Sequence, residues 1–122
     1  MILVDTSIWI DHLHRSEPAL VRLLELGDVG THPMVIGELA LGSLRDRATV
    51  LGLLDALPQT AVATHSEVRA FVEARELHGI GLNLVDVHLL AGAVLTAGTQ
   101  LWTRDRRLRE AAASLGLAAD QP

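Results

Sequence analysis

The chain has 122 residues and no cysteine; it is long enough to bury roughly two-thirds of its unfolded surface, and disulfide scaffolds, thiolate metal sites and cysteine nucleophiles are excluded. All ten basic residues are arginine, which removes P-loop lysines and Schiff-base chemistry as well. A net charge of −5 and a pI near 5.6 argue against holding nucleic acid by bulk electrostatics, so any such contact must come from a local patch.

Met1 to Val4 read as a buried strand. Helical spacing follows over Ser7 to Arg15 and again over Glu17 to Leu26, with Ser16 placed as N-cap and Pro18 tolerable in the first turn. Val29 to His32 is a short strand. Pro33 opens the next helix, PMVIGELALGSL, where its missing N–H costs nothing. Asp46 to Leu57 is helical and Pro58 closes it; Thr60 to Ala63 looks like a third strand. Thr64 and Glu67 then have capping-box spacing ahead of a helix reaching His78. After the GIGLN break, LVDVHLLAGAVLTAG is too apolar to lie on a surface and must be a central helix. QLWTR is the fourth strand, Asp105 to Gly116 the last helix, and LAA a possible fifth strand.

Mostly apolar strands alternating with helices indicate an α/β fold: a single three-layer domain spanning residues 1–122, with a central parallel sheet of four to five strands and helices on both faces. Charges interrupt every apolar run, so no membrane span is expected, although 49% apolar residues and a mean hydropathy of +0.32 suggest a partner interface. No basic region precedes the first apolar run, and the expectation is a cytoplasmic chain without a secretory signal.

Most of the fifteen acids sit on polar helix faces. Asp5, Glu38, Asp86 and Asp105 do not: each is embedded in, or directly ends, an apolar segment. Each alone has a plain alternative, a helix N-cap for Asp86 or Asp105, an arginine partner for Glu38, a turn for Asp5. Gathered together, buried carboxylates repel and raise each other's pKa unless a positive charge joins them. Mg²⁺ and Mn²⁺ suit such an oxygen-only set and can polarise a phosphoryl oxygen. Phosphodiester hydrolysis is the chemistry this points to.

On hydrophobic-Asp5-Thr6-Ser7, Glu38 among small residues, Asp86 near the start of the apolar helix, and Thr103-Arg104-Asp105 after the fourth strand, the chain resembles a PIN-domain ribonuclease, and more narrowly a VapC toxin of the VapBC toxin–antitoxin class. The order of these features agrees over essentially the whole chain. The resemblance implies a metal-dependent endoribonuclease in which Asp5, Glu38, Asp86 and Asp105 form the pocket that binds Mg²⁺ or Mn²⁺, with Asp5 and Asp86 as the direct ligands and Thr6, Ser7 and Thr103 as hydroxyls that orient a carboxylate or a water. It also implies a cognate VapB-type antitoxin, a homodimer or toxin–antitoxin hetero-oligomer, and a partner surface on the second to fourth helices. Leu108 stands where the family often has an aromatic residue.

Arg104, Arg106, Arg107 and Arg109 form the only basic concentration and are candidates for the RNA backbone; the plain alternative is a solvated helix face with Glu110 as partner. Asp11, His12 and His14 look like a metal string, but neighbours two apart on a helix diverge, and surface histidines are the simpler reading; His88 fails the same test with Asp86. Trp9, Trp102 and Phe71 lie within apolar segments and read as core rather than as a stacking platform. A signalling receiver domain, similar in size and also rich in aspartate, is disfavoured by the absence of lysine. A PIN-like domain that has lost catalysis and acts as a scaffold is the remaining alternative.

Overall fold

In the computed structural model, which describes Met1–Pro122, the first strand is β1 (Ile2–Val4), and all three of its residues are buried. Successive strand side chains point to opposite faces, so both faces of the sheet are covered and the fold has three layers. β1 is the middle strand, flanked in parallel by β2 (Val29–Gly30) and β3 (Gln100–Trp102), with Ile2 level with Val29 and Gln100. The chain winds from β1 to one edge and then to the other. Ligands of such sheets bind beyond the carboxyl ends of the strands where the winding reverses, and here that point is the end of β1.

The expected strand count needs correction. The sheet has three strands; ahead of the segment Thr60 to Ala63 there is only a single parallel bridge, Gln59 beside Thr31, and Leu117 to Ala119 supplies only Ala118 beside Leu101. At the first of these, Thr31 N–H donates to Pro58 and Thr60 N–H to Thr31, while Ala61 N–H donates to the Thr96 side chain. Ala61 N–H points away from β2, and the next donor toward Thr60 would be that of Pro33, which has no N–H and opens α3, so the pairing stops there.

Seven helices surround the sheet: α1 (Thr6–His14), α2 (Pro18–Glu25), α3 (Pro33–Ala40), α4 (Arg47–Asp55), α5 (His65–Arg75), α6 (Leu84–Leu95) and α7 (Arg106–Ser114). α2 is capped by Glu17 rather than Ser16, its carboxylate accepting from Ala19 N–H. The Thr64–Glu67 capping box forms with both hydrogen bonds. α5 stops short of His78 because Glu76 adopts a left-handed conformation, φ 53°, which lets Leu77 N–H close on Val72. α6 is the central helix: every residue from Val87 to Ala93 is buried. At Gly92 it lies directly against the chain after Pro58, where a Cβ would come within 2.8 Å of Thr60 Oγ1 and 3.0 Å of the Ala61 carbonyl. No helix is long and apolar enough to cross a membrane.

The aromatic residues settle mainly into the core. Trp9 and Trp102 are buried, Phe71 is half-buried beneath Arg75, and Leu108 is fully enclosed. His12 is not a free surface side chain: its Nδ1 accepts from Glu17 N–H at 3.0 Å and its ring meets Trp9 edge-on, whereas His14 is exposed.

A buried polar cluster lies between α3 and α6. His32 caps α3, its Nδ1 accepting from Met34 N–H, and its ring lies 6.2 Å from that of His88. Burial, and then the charge of His88, lower the His32 pKa. The unfolded chain therefore binds a proton that folded His32 refuses, and stability present above the ordinary histidine range near 6.5 declines as pH falls through it, by up to about 1.4 kcal/mol per pH unit for one proton. The urea midpoint is expected to drop between pH 7.5 and pH 5.5. His32→Asn, which keeps a cap acceptor without the titration, is expected to flatten that slope; an unchanged slope would show that another group sets it.

Candidate active site

Asp5 stands at the carboxyl end of β1, and its extended backbone makes it the N-cap of α1. It is buried and fully engaged: Oδ1 accepts from Thr6 N–H at 2.8 Å, while Oδ2 accepts from the hydroxyls of Ser7 at 2.9 Å and Thr103 at 2.8 Å. The Thr103 hydroxyl also accepts from Asp105 N–H at 3.0 Å, so one side chain at the end of β3 ties together two of the acids. Asp105 in turn caps α7, with Oδ1 accepting from Leu108 N–H. Glu38, on the exposed side of α3, accepts from the Thr6 hydroxyl at 2.7 Å; its partner is thus a threonine and not an arginine.

Asp86 is the half-buried member, in the first turn of α6. Asn83 is the N-cap there, and the two form a reciprocal capping box: Asn83 N–H donates to Asp86 Oδ2 at 3.0 Å and Asp86 N–H to Asn83 Oδ1 at 2.8 Å. Burial raises the Asp86 pKa; Asn83 N–H opposes this, and the charges of Asp5, Asp105 and Glu38 raise it further. The four acids thus share one electrostatic site, although they come from the ends of two strands and from two helices. Three helix N-termini, those of α1, α6 and α7, bring their positive ends to it.

These hydrogen bonds leave one oxygen each of Glu38, Asp86 and Asp105 without a protein partner. No group of three histidine, aspartate or glutamate side chains converges tightly enough to hold a metal ion by itself. The donor set still fits a hard divalent cation. Such ions keep several waters and need only one or two carboxylates, the free oxygens are all carboxylate, and a cation would offset the mutual repulsion that acts on Asp86.

The arginines divide. Arg104 turns away from the acids to pair with Asp11 at 2.9 Å and with Glu17, donates to the Pro122 carbonyl, and lies 5.8 Å over Trp102. It is a structural clasp, not an open cation. Arg106 is exposed, with Glu110 3.9 Å away one turn on; Arg107 and Arg109 are exposed without an acidic partner. Asn83 was legible as a capping residue from its spacing to Asp86, since Asn-x-x-Asp has the same form as the Thr64–Glu67 box.

The shared hydroxyl at Thr103 makes a test. Thr103→Val keeps the shape but leaves buried Asp5 Oδ2 one donor short and takes the acceptor from Asp105 N–H, at a cost of about 1–3 kcal/mol. A groups-in-support role predicts that activity falls about 10–100-fold and that Thr103→Ser restores both activity and melting temperature. Recovery of neither would remove the hydroxyl from the account.

Beside the acids runs a cleft of about 630 Å³ between α1 and the α3–α4 turn, with Glu38 on its wall and His14 and Arg45 at its rim. A second, almost wholly apolar groove of about 310 Å³ lies between α1, α2 and α4, lined by Trp9, Leu13, Leu24, Leu53 and Leu57.

The PIN domain family model matches residues 2–114, which include all four acids. Ribonuclease VapC32 of Mycobacterium tuberculosis, in strain CDC 1551 / Oshkosh and in strain ATCC 25618 / H37Rv, is 52% identical to this chain over 118 residues, covering 97% of the chain and 95% of the relative. With a family match over nearly its full length and a VapC relative sharing half of its residues, the chain belongs to the PIN-domain family, among its VapC-type members.

Proposed function

We propose that the protein is a metal-dependent endoribonuclease toxin of a toxin–antitoxin pair, cutting RNA phosphodiester bonds at the site formed by Asp5, Glu38, Asp86 and Asp105. The observation that carries this reading is the convergence of four distant acids at the winding reversal of a parallel sheet, close enough for three of them to act on the ionisation of the fourth. Ribonuclease is the name of the relative with 52% identity, and it agrees with the chemistry of the site.

Asp86 and Asp105, each with a free oxygen, and Asp5 at the floor would hold Mg²⁺ or Mn²⁺, in part through water, with Glu38 at the outer edge. When bound, such an ion supplies Lewis acidity toward a phosphoryl oxygen and makes nearby water more acidic. The protein's own part is orientation. Ser7 and Thr103 fix the plane of Asp5, Thr6 fixes Glu38, and the Asn83 box fixes Asp86. RNA is the substrate in this reading, met in the cytoplasm. A VapB-type antitoxin is the silencing partner, and the apolar groove between α1, α2 and α4 supports a protein partner, since it leaves Leu53 66% exposed. A homodimer is part of the same proposal.

The test is cleavage of a panel of tRNAs, ribosomal RNA fragments and messenger RNAs by the purified chain with Mn²⁺ or Mg²⁺, and with EDTA. Cuts at defined positions that require the metal are expected. An intact fold that neither cuts the panel nor takes up Mn²⁺ would favour the scaffold reading instead.

A further inference from the structure

Four arginines surround Asp105, and the structure treats them differently. Arg104 is committed to Asp11 and Glu17, and Arg106 stands beside Glu110. Arg107 has neither an acid nor a hydrogen-bond partner, yet its side chain does not wave in solvent. It lies across Gly81: a Cβ built on that glycine would sit 2.5 Å from Arg107 Nη1, 2.7 Å from its Cδ and 2.9 Å from its Cζ. Gly81 has a φ of +85°, a conformation that suits glycine, so two independent features keep that spot free of a side chain.

The location gives this seat its meaning. Gly81 is two residues before Asn83, the cap that orients Asp86, and Arg107 is two residues after Asp105. One guanidinium from α7 therefore spans to the loop that feeds α6, at the rim where two of the four acids emerge. Packing of its stem on the glycine backbone takes up much of the freedom an exposed arginine has, while its donors keep no protein acceptor. A planar, pre-oriented, unpaired guanidinium is suited to a bidentate contact with a phosphate. In a chain of net charge −5, a polyanion needs such a contact to approach an acid site at all.

We propose that Arg107, seated on Gly81, binds an RNA phosphate next to the acid site and sets where the strand lies relative to Asp86 and Asp105. This rests on the ribonuclease reading above. It predicts that Arg107 contributes to substrate affinity far more than Arg106 or Arg109 does.

The experiment measures binding and turnover separately. Binding of a fluorescently labelled total tRNA pool is followed in EDTA over a salt series, and cleavage of the same pool is followed with Mn²⁺, for the natural chain and for Arg107→Ala, Arg107→Lys, Gly81→Ala, Arg106→Ala and Arg109→Ala. Arg107→Ala is expected to weaken binding and raise KM about tenfold, with kcat changed by less than about threefold, and to reduce the salt slope by about 0.7–0.9, the signature of one lost phosphate contact. Arg107→Lys is expected to recover the salt slope but only part of the affinity, because the fork is gone. Gly81→Ala is expected to weaken binding with the charge still present.

Equal losses for all three arginines would overturn the proposal in favour of a diffuse patch. A fall in kcat and melting temperature with KM intact would overturn it too, making Arg107 a support for the α6 loop. If the natural chain cuts nothing and takes up no Mn²⁺, the ribonuclease reading fails; if it cuts and Arg107→Ala cuts and binds equally well, only the assignment of Arg107 fails.

Discussion

Asp5→Asn is expected to lower RNA cleavage by at least roughly 100-fold, more than changes beside a metal ligand usually cost, and to leave the domain folded. The reason it stays folded is local. Asparagine caps a helix as well as aspartate does, so the Thr6 N–H bond to Oδ1 is retained. Ser7 and Thr103 now meet an amide N–H₂ where they met Oδ2, and both hydroxyls can rotate to accept. A cost of about 1 kcal/mol follows, a few degrees in melting temperature. Added Mn²⁺ should raise the melting temperature of the natural chain by linkage and leave that of Asp5→Asn almost unmoved. An unfolded variant would make Asp5 structural; a folded variant with full activity would remove it from the chemistry.

Gly92→Ala is expected to cost stability even though helix propensity alone favours alanine by about 1 kcal/mol. Its Cβ would press on Thr60 Oγ1, the Ala61 carbonyl and His32 Cδ2, the last at 3.2 Å, and the carbonyl belongs to backbone that cannot swing aside. Overpacking of this kind costs about 1–3 kcal/mol beyond the propensity gain, so the melting temperature should fall by several degrees. Gly52, also inside a helix, has nothing within 4 Å of its would-be Cβ. Gly52→Ala should therefore show the propensity gain alone and melt higher. If both variants moved the same way, packing against α6 would not be the deciding term.

Much of this architecture was legible because local chemistry wrote it. The apolar runs became β1, β2, β3 and α6, and the Thr64–Glu67 spacing became a capping box. The four acids stood out because their segments are otherwise apolar, and the structure brings them into one electrostatic site while leaving their roles to experiment. What was not legible depends on partners far away in the chain. Nothing in the segment Thr60 to Ala63 says that its neighbour will be the end of β2, where Pro33 has no N–H to give and the ladder stops. Arg104 looks as open as its neighbours until Asp11 and Glu17 are brought to it. His32 and His88 each look ordinary alone, and only the packing of α3 beside α6 makes them a pair. The capping alternatives and the functional reading also turned out to be compatible: Asp5 and Asp105 are N-caps, and it is capping that aims their carboxylates at the site.

The central position of β1 has a consequence for how the protein comes into being. Its residues are synthesised before every other element of the fold, but one of its two neighbours is Gln100–Trp102, and the hydroxyl that steadies Asp5 lies 98 residues further along. Pairings of such long range are made late and slowly. A nascent chain therefore carries Asp5 and Glu38 long before it has Thr103 or Asp105, and the cluster cannot assemble while β3 is missing. Translation that stalls before Thr103 leaves Asp5 without the hydroxyl that spans 98 residues to reach it, and leaves the four-acid cluster without Asp105.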